Sequence, residues 1–222
     1  MENKVVFVFE GAVLETFQQR KSGEYVLLNS DDHAHIISKA GNNPADYRPD
    51  ILHQSILALY DSPLAKAGKV QLYIHTHNNV LIKVSNELRV PRTFKRFSGL
   101  LTQLLHTRKI KAAENNKVLM KVIKNPVTDH LPIGCNKIGT SVESSLVKIS
   151  DFVSDPKKKF TSTDPNEEPI TPVFVIGMSA HGHPAKEAQF IDTCISISSY
   201  HLSAAACVSR VTTAFENLWG VN

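Results

Sequence analysis

Strands alternating with helices along this sequence predict an α/β fold, a mainly parallel sheet covered on both faces. Two observations carry that expectation. The runs VVFVF (5–9) and TPVFVIG (171–177) are β-branched, aromatic and apolar almost throughout, as strands buried on both faces must be. Between them lie segments whose apolar residues recur at spacings of three and four, the mark of helices with one buried stripe. A chain of 222 residues, 42% of them apolar, is large enough for one well-buried domain or two small ones, and a single domain over 1–222 with an insertion is the simpler arrangement.

The first strand covers 5–9, and Gly11 punctuates its end. In DDHAHIISKAG, Asp31 is suited to cap a short helix over 32–40 and Gly41 to stop it, after which Asn42, Asn43 and Pro44 force a loop. RPDILHQSILALYDSP reads as a second helix, with Pro49 near its start, Ile51, Ser55, Ile56 and Leu59 at helical spacing, and Pro63 beyond its end. VQLYIHT (70–76) and NVLIKV (79–84) form a hairpin. Pro91 suits the first turn of a helix over 91–107, whose stripe is Phe94, Phe97, Leu101, Leu104 and Leu105. VLMKVI (118–123) is a further buried strand, and IGTS (138–141) lies at or just after another. Residues 154–169, SDPKKKFTSTDPNEEP, are charged, proline-bearing and aperiodic, which predicts a surface loop and the most dispensable part of the chain. The strand at 171–177 is the clearest, CISIS (194–198) is another, and a helix from 203 to 219 follows.

The formal net charge is only +4, so affinity for nucleic acid would have to come from local clusters of Lys and Arg. Cys135, Cys194 and Cys207 have no CxxC spacing and read as reduced, buried thiols of an intracellular protein. The N-terminal apolar run is too short for a secretory core and no run reaches about 18 apolar residues, so a soluble chain with no membrane partner is expected.

Three patterns could carry chemistry. The HxH pairs His33/His35, His75/His77 and His181/His183 admit a metal site; only His75/His77 falls on a strand, where side chains two apart share a face, and surface or loop histidines are the simpler reading. In FVIGMSAHGHP a buried strand ends at Gly177 and Gly182 follows in the loop, which lets backbone approach a ligand at the carboxyl end of a parallel sheet, or simply makes a turn. In RVPRTFKRF, Arg92 and Arg96 would share one helix face with Arg89 just before it, and no acidic residue occurs from Leu88 through Ala113. A solvated face and an anion-binding face both fit that pattern. Arg48, in YRPDI, has Asp50 close enough to hold its guanidinium.

RPDILHQSILALYDSPLAKAGKVQLYIHT, RVPRTFKRFSGLLTQLLH, KVIKNPVTDHLPIGCNKIGTS and SISSYHLSAAACVSRVTTAFENLWGV resemble, in this order and over nearly the whole chain, the nucleolar pseudouridine N1-methyltransferases of the small ribosomal subunit. The resemblance implies a SPOUT-class fold with a C-terminal trefoil knot, which topology rules treat as exceptional. It implies a homodimer in the nucleolus that works with other small-subunit assembly factors. It implies S-adenosyl-L-methionine as methyl donor, held by Thr140, by Ile176, Gly177, Met178, Gly182 and His183, and by Ser196, Ile197, Ser198, Ser199, Tyr200, His201, Leu202 and Ser203. Small-subunit ribosomal RNA would be contacted by Arg48, Arg89, Arg92 and Arg96, with Asp50 as orienter of Arg48. The implied reaction methylates N1 of a pseudouridine in a hairpin loop, needs no metal, and leaves the general base unidentified. An RNA-binding assembly factor that does not depend on catalysis is the alternative, and a metal-dependent hydrolase built on the HxH pairs becomes remote. Two departures stand out: Ser30 replaces a usual cysteine, and His201 replaces the proline of YPLSA. Losing that fixed φ predicts weaker cofactor binding.

Overall fold

The computed structural model describes residues 3–20, 22–162 and 168–222. Strand β1 (Val5–Ala12) is followed by a small antiparallel hairpin, β2 (Thr16–Gln18) with β3 (Tyr25–Leu27), and then by helix α1 (Ser30–Lys39). Helix α2 (Pro49–Asp61) and the short α3 (Pro63–Lys66) lead to β4 (Val70–Thr76) and β5 (Leu81–Val84). Next come α4 (Phe94–Thr107), β6 (Lys109–Lys111), β7 (Val118–Ile123) and β8 (Asn136–Leu146). The last group is α5 (Ile149–Ser154), β9 (Pro172–Gly177), α6 (Pro184–Glu187), β10 (Thr193–Ser196) and α7 (Ala204–Trp219).

Eight strands form one sheet in the order β10-β8-β9-β1-β4-β5-β7-β6. The α/β expectation holds, but only β10, β8, β9, β1 and β4 pair in parallel; β5, β7 and β6 add an antiparallel half. Connection length is the reason: the few residues between β4 and β5 suffice only for a hairpin, whereas parallel neighbours need a crossover. β1 lies near the centre, and its run from Val5 through Phe9 is sealed from solvent on both faces. Phe7 and Phe9 face a core shared with Leu52 and Ile56 of α2, Phe97 and Leu101 of α4, and Val208 and Phe215 of α7. Val6 and Val8 face a smaller core with Tyr73, Val127, Val175 and Ala185 of α6.

Three differences from expectation bear on the packing. Asn29, not Asp31, caps α1: its backbone is extended and its Oδ1 accepts the Asp31 and Asp32 N–H groups at 3.0 and 2.8 Å. Helix α4 begins at Phe94, so Pro91 and Arg92 lie in the segment before it. That segment is tied to α2, where the Pro91 carbonyl accepts His53 Nε2–H at 2.7 Å and the His53 ring stacks on Phe97 at 4.4 Å. The 154–169 excursion is not uniformly dispensable, since Phe160 is buried against Phe215 and its carbonyl accepts Trp219 Nε1–H at 3.3 Å. Residues 163–167 of that excursion lie outside the described residues.

Candidate functional site

The carboxyl ends of β9 and β10, the middle of β8 and the start of α7 enclose one side of a cleft of about 650 Å³, and the residues entering α2 form the other. Strands place this wall and loops finish it. After Gly177, which pairs with Glu10 of β1, the chain leaves the sheet and returns through Pro184 into α6. A Cβ on Gly177 would stand 3.2 Å from Pro184 Cγ, and one on Gly139 would stand 2.6 Å from the Ala185 carbonyl oxygen. The glycine at 177 therefore seats α6 against the sheet, which is a packing role alongside its place on the cleft wall. Gly182, at φ +79°, turns the loop in a conformation L side chains rarely adopt, with open space around it.

Of the residues that the resemblance assigns to the cofactor, Thr140, Ile176, Gly177, Gly182, His183, Ser196, Ile197, Ser198, Tyr200, His201, Leu202 and Ser203 line the cleft. Met178 does not; it is 1% exposed in the core and its N–H donates to the Glu10 carbonyl at 2.8 Å. Ser199 is in the loop but off the cleft wall. Internal hydrogen bonds hold the loop between β10 and α7: Ser196 Oγ donates to the Ser198 carbonyl at 2.8 Å, and Ser198 Oγ accepts the Tyr200 N–H at 3.0 Å. Ser203 then caps α7 by accepting the Ala206 N–H at 3.2 Å.

Sequence reasoning missed Gln54 on the same walls, and it missed the partners of the histidines. Ser141 and Gln54 line the cleft, and His181 Nδ1 lies 2.8 Å from Asp46 Oδ1, a contact between loops 135 residues apart. His183 sits between Ser141 Oγ, 3.3 Å from its Nδ1, and Glu143 Oε1, 3.1 Å from its Nε2, while Lys186 Nζ donates to Glu143 Oε2 at 2.8 Å. No local pattern announces pairs at such separations. Asp46, two positions before Arg48, is the nearest clue. Cys207 also lines the cleft, and burial pushes its thiol pKa up, which favours the unreactive protonated form. All three cysteines are free and half-buried rather than fully buried.

Arg48 and Asp50 meet at the α2 end of the cleft. Nε and Nη2 of Arg48 donate to the two carboxylate oxygens at 2.8 and 2.7 Å, a bidentate fork. The hydrogen bond from Arg48 holds the Asp50 pKa below its ordinary value, and Asp50 in turn raises that of Arg48. Arg89, Arg92 and Arg96 are exposed and lie outside the cleft lining. Two features of the expected patch change. Arg92 precedes α4 instead of sharing a helix face with Arg96, and Asp61 of α2 pairs with it, so a carboxylate distant in sequence supplies the counter-charge that residues 88–113 lack.

The His75/His77 pair does not share a strand: β4 ends at Thr76, so His77 lies in the turn that follows, and His75 is engaged otherwise. His75 Nδ1 lies 2.6 Å from Glu10 Oε1 and its Nε2 lies 2.8 Å from Asn79 Oδ1. Among the described residues no group of three or more His, Cys, Asp or Glu is placed to hold a metal ion. The hydrogen bond to Glu10 raises the His75 pKa above its ordinary 6.5. A folded-state pKa above the unfolded one stabilises the fold below the unfolded pKa, and that contribution fades as pH rises through the folded value. Denaturant midpoints should therefore fall as pH increases from 6.5 through the raised His75 value. In Glu10→Gln that part of the slope should be absent, and an identical slope in both proteins would remove His75 as its source.

A family profile described as EMG1/NEP1 methyltransferase matches residues 7–216. The chain belongs to the EMG1/NEP1 methyltransferase family. Its relatives in this family include the human protein named ribosomal RNA small subunit methyltransferase NEP1, 48% identical over 218 residues, covering 98% of this chain and 83% of that one. The protein of the same name in Drosophila melanogaster is 45% identical over 221 residues, covering 99% and 84%. The fold is that of a solved EMG1/NEP1 relative, Archaeoglobus fulgidus Nep1 bound to S-adenosylhomocysteine, with a TM-score of 0.75 at 24% identity over 98% of this chain and 99% of that one. The EMG1/NEP1 match takes in both the cleft and the arginine-bearing segment before α4.

Proposed function

We propose that this protein transfers the methyl group of S-adenosyl-L-methionine to N1 of a pseudouridine in a hairpin loop of small-subunit ribosomal RNA. The observation that carries this reading is the cleft itself, which gathers the middle of β8 and the loops after β9 and β10 and sets the Arg48–Asp50 fork on its wall. Its size falls in the range of about 300–1,000 Å³ usual for small-molecule sites. Serine, alanine, glycine, threonine and cysteine make up just over half of the lining residues. The relatives' name, and the S-adenosylhomocysteine bound to the archaeal neighbour, support the cofactor and the RNA substrate class.

The donor's sulfonium already activates the methyl group, so the chain must mainly bind, orient and exclude water. The loop at 197–203 and the turn at 179–183, most of whose residues line the cleft, would hold the donor. Arg48, its guanidinium fixed by Asp50, meets an RNA phosphate beside the target base. Asp50 is a poor base for the N1 proton, because its pairing with Arg48 lowers its proton affinity. Arg89, Arg92 and Arg96 extend the RNA contact beyond the cleft. The same reading includes a trefoil knot in the C-terminal segment, action as a single domain, a nucleolar location, assembly-factor partners and a homodimer.

His201 is exposed on the loop where the family usually has proline. His201→Pro should tighten S-adenosylhomocysteine binding about two- to fivefold, the gain typical of restricting a flexible loop residue by about 0.4–1 kcal/mol. Calorimetry on both proteins measures it. Absence of binding heat in either would count against the cofactor reading, and a weaker His201→Pro variant would remove this departure as the cause of lowered affinity.

A further inference from the structure

Helix α2 ends on Asp61, whose carboxylate grips the Arg92 guanidinium with two prongs, Nη2 donating to Oδ1 at 2.9 Å and Nη1 donating to Oδ2. Asp50, at the opposite end of the helix, does the same for Arg48. At 1.5 Å rise per residue the two carboxylates stand about 16 Å apart along the helix axis. Between them His53, 5% exposed, fastens the chain entering α4 through the Pro91 carbonyl. One rigid helix thus sets both arginines, and it also lines the cleft through Gln54. Among the described residues, Arg89 and Arg96 make no ion pair, so Arg92 is singled out within its cluster.

The geometry leaves each guanidinium able to work. Arginine has five N–H donors in a fixed fork. Asp61 engages Nη1 and Nη2 of Arg92, leaving the Nε edge free; Asp50 engages Nε and Nη2 of Arg48, leaving the Nη1 side free. Each carboxylate therefore orients its arginine without occupying every donor.

We propose that Asp61 is a positioning residue for the RNA substrate, holding Arg92 at a fixed separation from Arg48 so that both guanidiniums meet phosphates of one RNA strand. This rests on the reading that Arg92 contacts RNA, and it names the residue that aims it. An exposed arginine that must surrender several rotatable bonds on meeting a phosphate loses less when those bonds are already restrained. Nearby negative charge opposes that gain, which makes the sign of the effect the test.

Asp61→Asn removes the negative charge and keeps the shape. Charge arithmetic alone then requires tighter RNA binding, whereas positioning requires binding about three- to tenfold weaker. The salt dependence should stay that of the wild type, because Arg92 still reaches its phosphate. With a hairpin carrying pseudouridine, KM for RNA should rise while kcat at saturating RNA holds. In an Arg92→Ala background the Asp61→Asn change should no longer weaken RNA binding, since only the removed negative charge then acts. Equal or tighter RNA binding by Asp61→Asn overturns the proposal, as does a parallel loss of S-adenosylhomocysteine affinity or of thermal stability, which would mark a merely structural role. If Arg92→Ala itself leaves affinity and salt slope unchanged, the RNA reading of Arg92 fails and the proposal falls with it. That result is distinguishable because it appears without touching Asp61.

Discussion

Replacing Arg92 and Arg96 together by alanine should lower the slope of log affinity against log salt by about 1.4, at roughly 0.7 per phosphate contact to single-stranded RNA. Over a fourfold rise in salt, the wild type then loses about sevenfold more affinity than the variant, since four raised to about 1.4 is about seven. Both side chains are exposed, so removing them leaves no buried group unpaired and the fold should hold. Arg92 gives up its pairing with Asp61, a surface pair that contributes little to stability. Cofactor affinity should not change, because neither residue lines the cleft. RNA binding titrated at several salt concentrations measures the slope, and an unchanged slope would mean that these arginines meet no phosphate.

Phe215→Ala should cost about 3–5 kcal/mol of folding stability, a large share of the roughly 5–15 kcal/mol a domain of this kind has. Phe215 is fully buried, with its ring 5.8 Å from Phe160, 5.8 Å from Phe174 and 4.8 Å from Trp219. It thereby joins α7, strand β9 and the 154–169 excursion in one contact group. Truncation leaves a cavity that three aromatic rings and a central strand cannot collapse to fill. The guanidinium chloride midpoint should fall with little change in slope. A loss below about 1 kcal/mol would show that the excursion and α7 repack freely.

The strands and helices are legible in the sequence where packing follows local pattern. β1, β9 and α7 fall within a few residues of their expected bounds because a run buried on both faces, or a capped amphipathic stretch, is a local property. The start of α4 is not, because the fate of Pro91 is decided by His53, 38 residues earlier in the chain. The β4–β5 hairpin can be read locally, but the antiparallel half of the sheet that grows from it cannot, since strand order beyond nearest neighbours is set by tertiary packing. For the site, the arginines and glycines stand out by type and spacing, and the resemblance assigns half of the residues that line the cleft. Met178 is misplaced because one position along the chain turns a side chain from cleft to core. Asp61 and Asp46 go unseen because nothing near Arg92 or His181 in sequence points to them.

Under the proposed function, methyl transfer depends on the pseudouridine N1 position. Incubating the protein with methyl-labelled S-adenosyl-L-methionine and two hairpins, identical except for uridine or pseudouridine in the loop, tests it directly. Label should enter only the pseudouridine hairpin. Equal labelling of both would contradict the N1 target, and RNA binding with no label on either would contradict the enzyme and favour an assembly factor that binds RNA without catalysis.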